Sequence, residues 1–131
     1  MLTQGQDLSG IKCEGACDRN TPLVSAADRA WLFKEVPRWE LSPGSTSMSR
    51  RFTAKSFSSA LAFFNAAGEV AEAEGHHPDL HLTNYRDVEV VVTTHAAGGL
   101  THFDFVLAAK LDKVPVEYSP KWLRENPEPG A

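Results

Sequence analysis

The sequence predicts one α+β domain in which a four-stranded antiparallel sheet carries helices on one face. A chain of 131 residues can bury a single core but not two. Its hydrophobic pattern predicts the order α-β-β-α-β-β-α, and two hairpins separated by a helix favour this layered arrangement. We expect an irregular N-terminal arm over residues 1–24, the folded domain over 25–113, and an extended C-terminal tail over 114–131.

The first half of the domain is predicted to be a helix followed by a hairpin. Ser25 is a plausible N-cap, and apolar residues follow it until Pro37 ends the helix. A short strand at 39–41 runs into a Ser-Pro-Gly-Ser turn, and residues 48–53 form the returning strand.

The second predicted helix begins after Ser56 and ends at Gly75, where a C-terminal glycine belongs. Phe57, Leu61 and Phe64 fall at positions i, i+4 and i+7, which predicts an apolar face. The remaining members of this stripe are Ala60, Ala67, Val70 and Ala71.

The second hairpin is predicted from residues 80–83 and 88–95, with a turn between them. Alternate residues of its second strand share one face, namely Val88, Val90, Val92 and Thr94. The small residues 96–99 break the strand, and Thr101 caps the third helix.

Composition excludes several classes of function. The net charge is -4 and the longest basic run is Arg50-Arg51, so nothing indicates nucleic-acid binding. No apolar stretch approaches the roughly 20 residues that a membrane helix needs, and the N-terminus does not resemble a secretory signal. We therefore expect a soluble intracellular protein without membrane partners, in the cytoplasm or, if a presequence was removed, in a mitochondrion or chloroplast.

Cys13 and Cys17 lie close together near the N-terminus. Two cysteines are too few for a disulfide framework or for a complete structural zinc site. Free thiols in a reducing compartment, a local redox pair and half of a shared metal site all stay open.

The segment GHHPDLHL, residues 75–82, concentrates three of the five histidines of the chain. Metal binding is disfavoured, because adjacent side chains diverge and Pro78 argues against helical spacing between His77 and His81. No serine or cysteine has the context of a catalytic nucleophile. General acid-base chemistry remains, since the unperturbed pKa of histidine, about 6.5, lies near neutral pH. His95, near a strand end, could join His76 and His77 at one cavity.

The spacing of six side chains resembles the signature of the pterin-4a-carbinolamine dehydratases. These residues are Glu72, His76, His77 (followed by Pro78), Tyr85, His95 and Asp104. The stretch TTHAAGGLTHFDFVLAAKLD also resembles that family, and the resemblance spans roughly residues 22–111. KCEGACDRNTPL and EGHHPDLHL resemble its plant and algal type, which is often sent to an organelle.

The resemblance implies the family's reaction, in which a 4a-hydroxytetrahydropterin loses water to give a quinonoid dihydropterin during tetrahydropterin recycling. It implies no metal and no organic cofactor, a pterin as substrate, and a homodimer or homotetramer. His76 and His95 would be the acid and base, and His77 would help to hold the pterin. Glu72 or Asp104 would orient an imidazole, and the order of acid and base stays open.

Some of these residues have simpler explanations. Glu72 could be a solvated residue of the last helical turn, and Asp104 could complete a capping box with Thr101. Tyr85 could merely pack against the sheet. His81 and His102 fall outside the signature and are expected at the surface.

A non-catalytic function is the alternative, because relatives in this family also act as a transcriptional dimerisation cofactor or as Rubisco assembly factors. The complete histidine set favours catalysis, although one fold can carry either task. A pterin-handling role in molybdenum cofactor metabolism is a third possibility.

Overall fold

A four-stranded antiparallel sheet forms the centre of the fold. The computed structural model describes residues 6–11 and 19–127. The helices and strands, in chain order, are α1 (Ala26–Glu35), β1 (Glu40–Leu41), β2 (Met48–Thr53), α2 (Phe57–Glu74), β3 (Asp79–Thr83), β4 (Asp87–Val92), α3 (His102–Leu111) and α4 (Pro120–Glu125). Two 3-10 turns, Leu8–Gly10 and His95–Ala97, complete the regular structure of the described residues.

The sheet has the strand order β1-β2-β4-β3, so the two hairpins meet along β2 and β4. In this register Met48 lies opposite Val92, and Phe52 lies opposite Val88. These four side chains are buried with Val90 on the face that the helices cover. Alternation along β4 therefore places its valines as predicted, and the α+β class with an antiparallel sheet is confirmed.

Helix α2 has a well-defined cap at each end. The Ser56 hydroxyl accepts a hydrogen bond from the Ser59 backbone N–H at 3.1 Å, and the Ser59 hydroxyl accepts one from the Ser56 N–H at 2.8 Å. At the other end Gly75 adopts φ 65°, a left-handed conformation that a residue with a Cβ adopts only at a cost. Both predicted ends of α2 are confirmed.

The buried face of α2 includes only part of the predicted apolar stripe, namely Ala60, Ala67 and Ala71. Its fully buried side chains are Ala60, Phe63, Ala67, Ala71 and Glu74. Phe63 packs edge-on against Phe52 of β2, with ring centroids 5.1 Å apart. Phe57 and Leu61 are instead exposed, because the helix turns its alanine-rich side towards the sheet, where small side chains allow close approach.

Strand β4 ends at Val92, three residues earlier than the sequence predicts. Val92 pairs with Met48, which is the first residue of β2. Strand β2 therefore does not extend beside residues 93–95. The chain instead turns back on itself, with Thr94 N–H donating to Gly99 O at 3.1 Å and Gly98 at φ 79°. His95 consequently lies in a 3-10 turn and not at the end of a strand.

The C-terminal segment was predicted to be an extended tail, but it contains the helix α4. Ser119 accepts a hydrogen bond from Trp122 N–H, and Pro120 occupies the first helical turn. Trp122 stacks on Tyr118 at 5.2 Å, and this pair covers Phe52 at the edge of the core. The sequence signal, Ser-Pro before an apolar pair, was present but short.

The N-terminal arm also contributes to the core where the structure describes it. Leu8 is buried in the 3-10 turn, whose first residue is capped by Asp7. Cys13 and Cys17 lie outside the described residues, so their prediction is untested. Within residues 6–11 and 19–127 no helix is long and apolar enough to cross a membrane.

Candidate active site

The histidine pair leaves α2 directly at its C-terminal glycine. The left-handed turn at Gly75 reverses the chain, and the His76 backbone N–H donates to Ala71 O at 3.3 Å. The two imidazoles then diverge as consecutive side chains do. His76 is buried, whereas the His77 side chain is 60% exposed.

His76 is held by the buried carboxylate of α3. Its Nε2 lies 2.6 Å from Asp104 Oδ1, and Asp104 is fully buried. The second carboxylate oxygen accepts hydrogen bonds from the Thr101 backbone N–H and the Thr94 hydroxyl, each at 2.8 Å. Asp104 therefore caps α3 and contacts His76 at the same time, so its two proposed roles are compatible.

His77 is paired with the other acidic residue of the signature. Its Nε2 lies 2.8 Å from Glu72 Oε1, one helical turn back on α2, and both side chains are solvent-exposed. They line an open groove of about 780 Å³ between α2 and the start of β3. The remaining lining residues are Asn65, Gly68, Glu69, Ala71, Pro78 and Leu80. His76 and His95 are not among them, so the groove reaches only part of the predicted site.

His95 is exposed and follows the residue that anchors Asp104. Thr94 O accepts the backbone N–H groups of Ala97 and Gly98 at 3.0 and 3.1 Å, which closes the 3-10 turn carrying His95. The Thr94 side chain bonds Asp104, and Asp104 bonds His76. The structure thus ties the His95 segment to His76 through two side-chain contacts.

Tyr85 lies away from the histidines. It belongs to the tight turn between β3 and β4, where Asn84 and Tyr85 both have positive φ, and its ring is exposed under the Arg86 guanidinium. The histidine pair precedes β3 at the opposite end of this hairpin, roughly 17 Å away for five residues of strand. Within one chain the structure does not bring Tyr85 to the imidazoles.

Four supporting residues were not assigned to the site from the sequence. Thr94 and Thr101 share a hydroxyl–hydroxyl contact of 2.9 Å beside Asp104. The sequence predicted Thr101 only as the cap of α3 and the capping-box partner of Asp104, and the only signal for Thr94 was its proximity to His95. Lys110 Nζ lies 2.8 Å from Glu74 Oε1, with both side chains largely buried, and this ion pair fastens the end of α2 to α3. Nothing in the spacing of Glu74 and Lys110 could have predicted their contact.

The acidic and imidazole side chains of the described residues are arranged in pairs. Across residues 6–11 and 19–127, no group of three or more His, Cys, Asp or Glu side chains is placed to hold a metal ion. The arrangement can hold and move protons: a buried imidazole–carboxylate pair sits beside an exposed one, so their surroundings differ strongly.

Comparisons with known proteins identify the family to which the chain belongs. Residues 22–114 match the sequence model of the family described as pterin 4 alpha carbinolamine dehydratase. The chain is 38% identical over 113 residues to the mitochondrial pterin-4-alpha-carbinolamine dehydratase 2 of Arabidopsis thaliana. That alignment covers 85% of this chain and 60% of the Arabidopsis protein, so the chain spans about three fifths of that relative's length.

A second relative is covered more fully. The chain is 42% identical over 104 residues to a provisionally named pterin-4-alpha-carbinolamine dehydratase 1 of Gloeobacter violaceus, covering 78% of this chain and 89% of the relative. The fold and the matched family model define an α+β protein of the pterin dehydratase class. The chain belongs to the pterin 4 alpha carbinolamine dehydratase family, as the resemblance in its sequence predicted.

One solved structure supports the same fold. A transcriptional coactivator/pterin dehydratase from Brucella melitensis superposes with a TM-score of 0.67 at 27% identity, over 71% of this chain and 98% of that chain. A pterin dehydratase-like RuBisCO assembly factor of the alpha-carboxysome gives a TM-score of 0.49 at 21% identity, over 58% of this chain and 87% of the other. The second likeness is too weak to bear on function.

Proposed function

We propose that this protein catalyses the dehydration of a 4a-hydroxytetrahydropterin to a quinonoid dihydropterin and water, in tetrahydropterin recycling. The observation that carries the proposal is the buried pair of His76 and Asp104, set within a chain that belongs to the dehydratase family. A fully buried carboxylate in direct contact with an imidazole is the arrangement that general acid-base chemistry uses to orient a histidine.

The reaction needs one proton delivered and one removed. The 4a-hydroxyl leaves as water after it is protonated, and the carbon–oxygen bond breaks with its electron pair. The proton on N5 is removed, and its electron pair forms the new double bond between N5 and C4a. Two groups of opposite protonation state are therefore sufficient, and histidine suits both because its pKa lies near neutral pH.

We assign these two proton transfers to His76 and His95. His76 has the fixed orientation that Asp104 imposes, whereas His95 is solvent-exposed in its turn, so the two rings have different surroundings. His77, oriented by Glu72 at the exposed groove, would hold the pterin by hydrogen bonding. In this proposal Tyr85 does not contact the pterin bound by its own chain, because it lies at the opposite end of the β3–β4 hairpin from the histidine pair.

The experiment is a dehydration assay with purified protein and two single variants. His76→Ala and His95→Ala should each lower turnover by about 10²–10⁴-fold, the usual contribution of a positioned acid or base. His81→Ala is the matched control, because His81 is exposed on β3 and outside the signature, and it should keep full activity. The readout is the rate of quinonoid dihydropterin formation above the buffer rate.

A wild-type rate equal to that of buffer would reject catalysis and would leave a binding or assembly function. A His76→Ala rate equal to that of His81→Ala would retain the activity but reject His76 as a proton carrier. The mitochondrial name of the Arabidopsis relative favours an organelle for this chain, and cell fractionation would decide between it and the cytoplasm.

A further inference from the structure

A buried hydrogen-bond network surrounds the Asp104 carboxylate. Oδ1 contacts His76 Nε2 at 2.6 Å, while Oδ2 contacts Thr94 Oγ1 and Thr101 N at 2.8 Å each. The two threonine hydroxyls are 2.9 Å apart. All four residues are at least nine-tenths buried, so bulk water does not compete with these contacts.

The hydrogens in this network can be placed by counting donors. The Thr101 backbone N–H can only donate, so Asp104 Oδ2 accepts from it. An aspartate carboxylate has two acceptor oxygens and no donor. Thr94 must then donate its single hydroxyl hydrogen to Asp104, and Thr101 must donate its own to Thr94.

Counting donors and acceptors in this way also determines the tautomer of His76. Asp104 Oδ1 can only accept, so His76 Nε2 must carry the hydrogen of the 2.6 Å contact. In the neutral ring Nδ1 is then left with the lone pair. A proton that arrives at Nδ1 produces an imidazolium that the adjacent carboxylate stabilises, while the Nε2 proton stays where it is.

We propose that Thr94 and Thr101 are positioning residues that act through Asp104 to hold His76 in the Nε2–H tautomer, which leaves Nδ1 as the nitrogen that exchanges protons with the pterin. The last part rests on the proposed dehydratase function, whereas the tautomer does not. Thr94 also closes the turn that carries His95, so one residue orients both proton-transfer groups.

The first test is the ¹⁵N NMR spectrum of labelled protein, which distinguishes Nδ1–H from Nε2–H in a neutral imidazole. The wild type should show Nε2–H for His76. In Asp104→Asn the amide oxygen must still accept from the Thr101 N–H and the Thr94 hydroxyl, so the amide NH₂ faces His76. Nε2 then becomes the acceptor, and the ring should switch to Nδ1–H. An Nδ1–H signal in the wild type, or no switch in folded Asp104→Asn, would overturn the proposal.

The second test separates Thr94 from a merely structural threonine. Thr94→Val should lower kcat roughly 10- to 100-fold, the range for loss of an outer hydrogen-bond partner of a metal-binding histidine, with little change in KM. Thr94→Ser keeps the hydroxyl and should restore most of kcat. Thr93→Val is the matched control, because the Thr93 hydroxyl points elsewhere and donates to Thr46 O. Equal kcat values for Thr94→Val and Thr93→Val would contradict the assignment.

The two tests also separate this inference from the proposed function. If the wild type shows the Nε2–H tautomer and Asp104→Asn switches it, the hydrogen-bond assignment holds even for a chain that lacks dehydratase activity. If the wild type is active but its His76 carries the hydrogen on Nδ1, only the inference fails.

Discussion

His102 is a histidine that the described part of the fold largely shields from solvent. It is the first residue of α3, its side chain is only 12% exposed, and its Nε2 is 3.8 Å from Asp28 Oδ2. Among the described residues nothing accepts or donates a hydrogen bond at that nitrogen. Burial lowers the pKa of His102, and the nearby Asp28 carboxylate opposes this only in part. The expectation of a surface position was wrong for His102, whereas His81 is exposed as expected.

Because the pKa of His102 is lower in the folded chain than its ordinary 6.5, the unfolded chain binds the proton first as the pH falls. This histidine should therefore make the free energy of unfolding decrease as the pH drops from about 6.5 towards the folded pKa. His102→Gln removes the titrating group, and its stability should fall less over the same interval. Urea unfolding of both proteins on either side of pH 6.5 measures the difference, and parallel pH curves would refute it.

The histidine pair follows directly after the C-terminal end of helix α2. That end depends on the left-handed backbone conformation of Gly75. Gly75 has φ 65°, which costs a residue with a Cβ roughly 1–2 kcal/mol. Gly75→Ala should therefore lower the free energy of unfolding by about 1 kcal/mol and disturb the chain at His76. Denaturant unfolding, together with the dehydration assay, reports both effects.

Gly68 supplies the matched control within the same helix. It lies in the interior of α2, and a Cβ added there would meet no heavy atom within 4 Å among the described residues. Gly68→Ala should raise the free energy of unfolding by about 0.5–1 kcal/mol, because alanine loses less backbone entropy in a helix. If both variants shift stability in the same direction, the left-handed turn is not what limits the end of α2.

The surface of the molecule favours association with a second copy, which we propose as a homodimer or homotetramer. Phe57 and Leu61 are exposed one turn apart on α2, on the face turned away from the sheet. Strands β1 and β3 are the edges of an open sheet, and an unpaired edge can accept another strand. Apolar side chains in a row together with open edges are typical of a surface that is buried between subunits.

Light scattering at micromolar concentration should therefore give a mass of two or four chains. Leu61→Glu places a charge in the exposed row and should shift the protein towards monomer. Leu123→Glu is the control, since Leu123 has nearly the same exposure but lies on α4. A monomeric wild type, or equal shifts in both variants, would argue against association through α2.

Local patterns in the sequence were sufficient for most of the secondary structure. Ser56 and Gly75 delimit α2 because caps are chosen by neighbouring backbone groups, and the valines of β4 alternate because strand geometry is local. The family resemblance, which rests on spacing around His76-His77, also lay in the sequence and is confirmed. The ends of strands that depend on a partner far away in the chain were predicted less well. Strand β4, for example, ends at Val92 because its pairing with β2 stops at Met48.

Contacts between segments far apart in the chain could not be predicted from the sequence and are seen only in the folded structure. The sequence predicted the capping box of Thr101 with Asp104, but it did not show the 2.6 Å contact between His76 and Asp104. It also had no signal that connects Thr94 with either residue. The sequence also placed Phe57 and Leu61 on the apolar face of α2, although both are exposed, because burial of that helix depends on how closely its alanines approach the sheet. Hydrophobic spacing predicts that a helix packs against the core, whereas the volumes of side chains on other elements decide which face is buried. The orientation of His76 depends on its contact with Asp104, a residue 28 positions further along the chain.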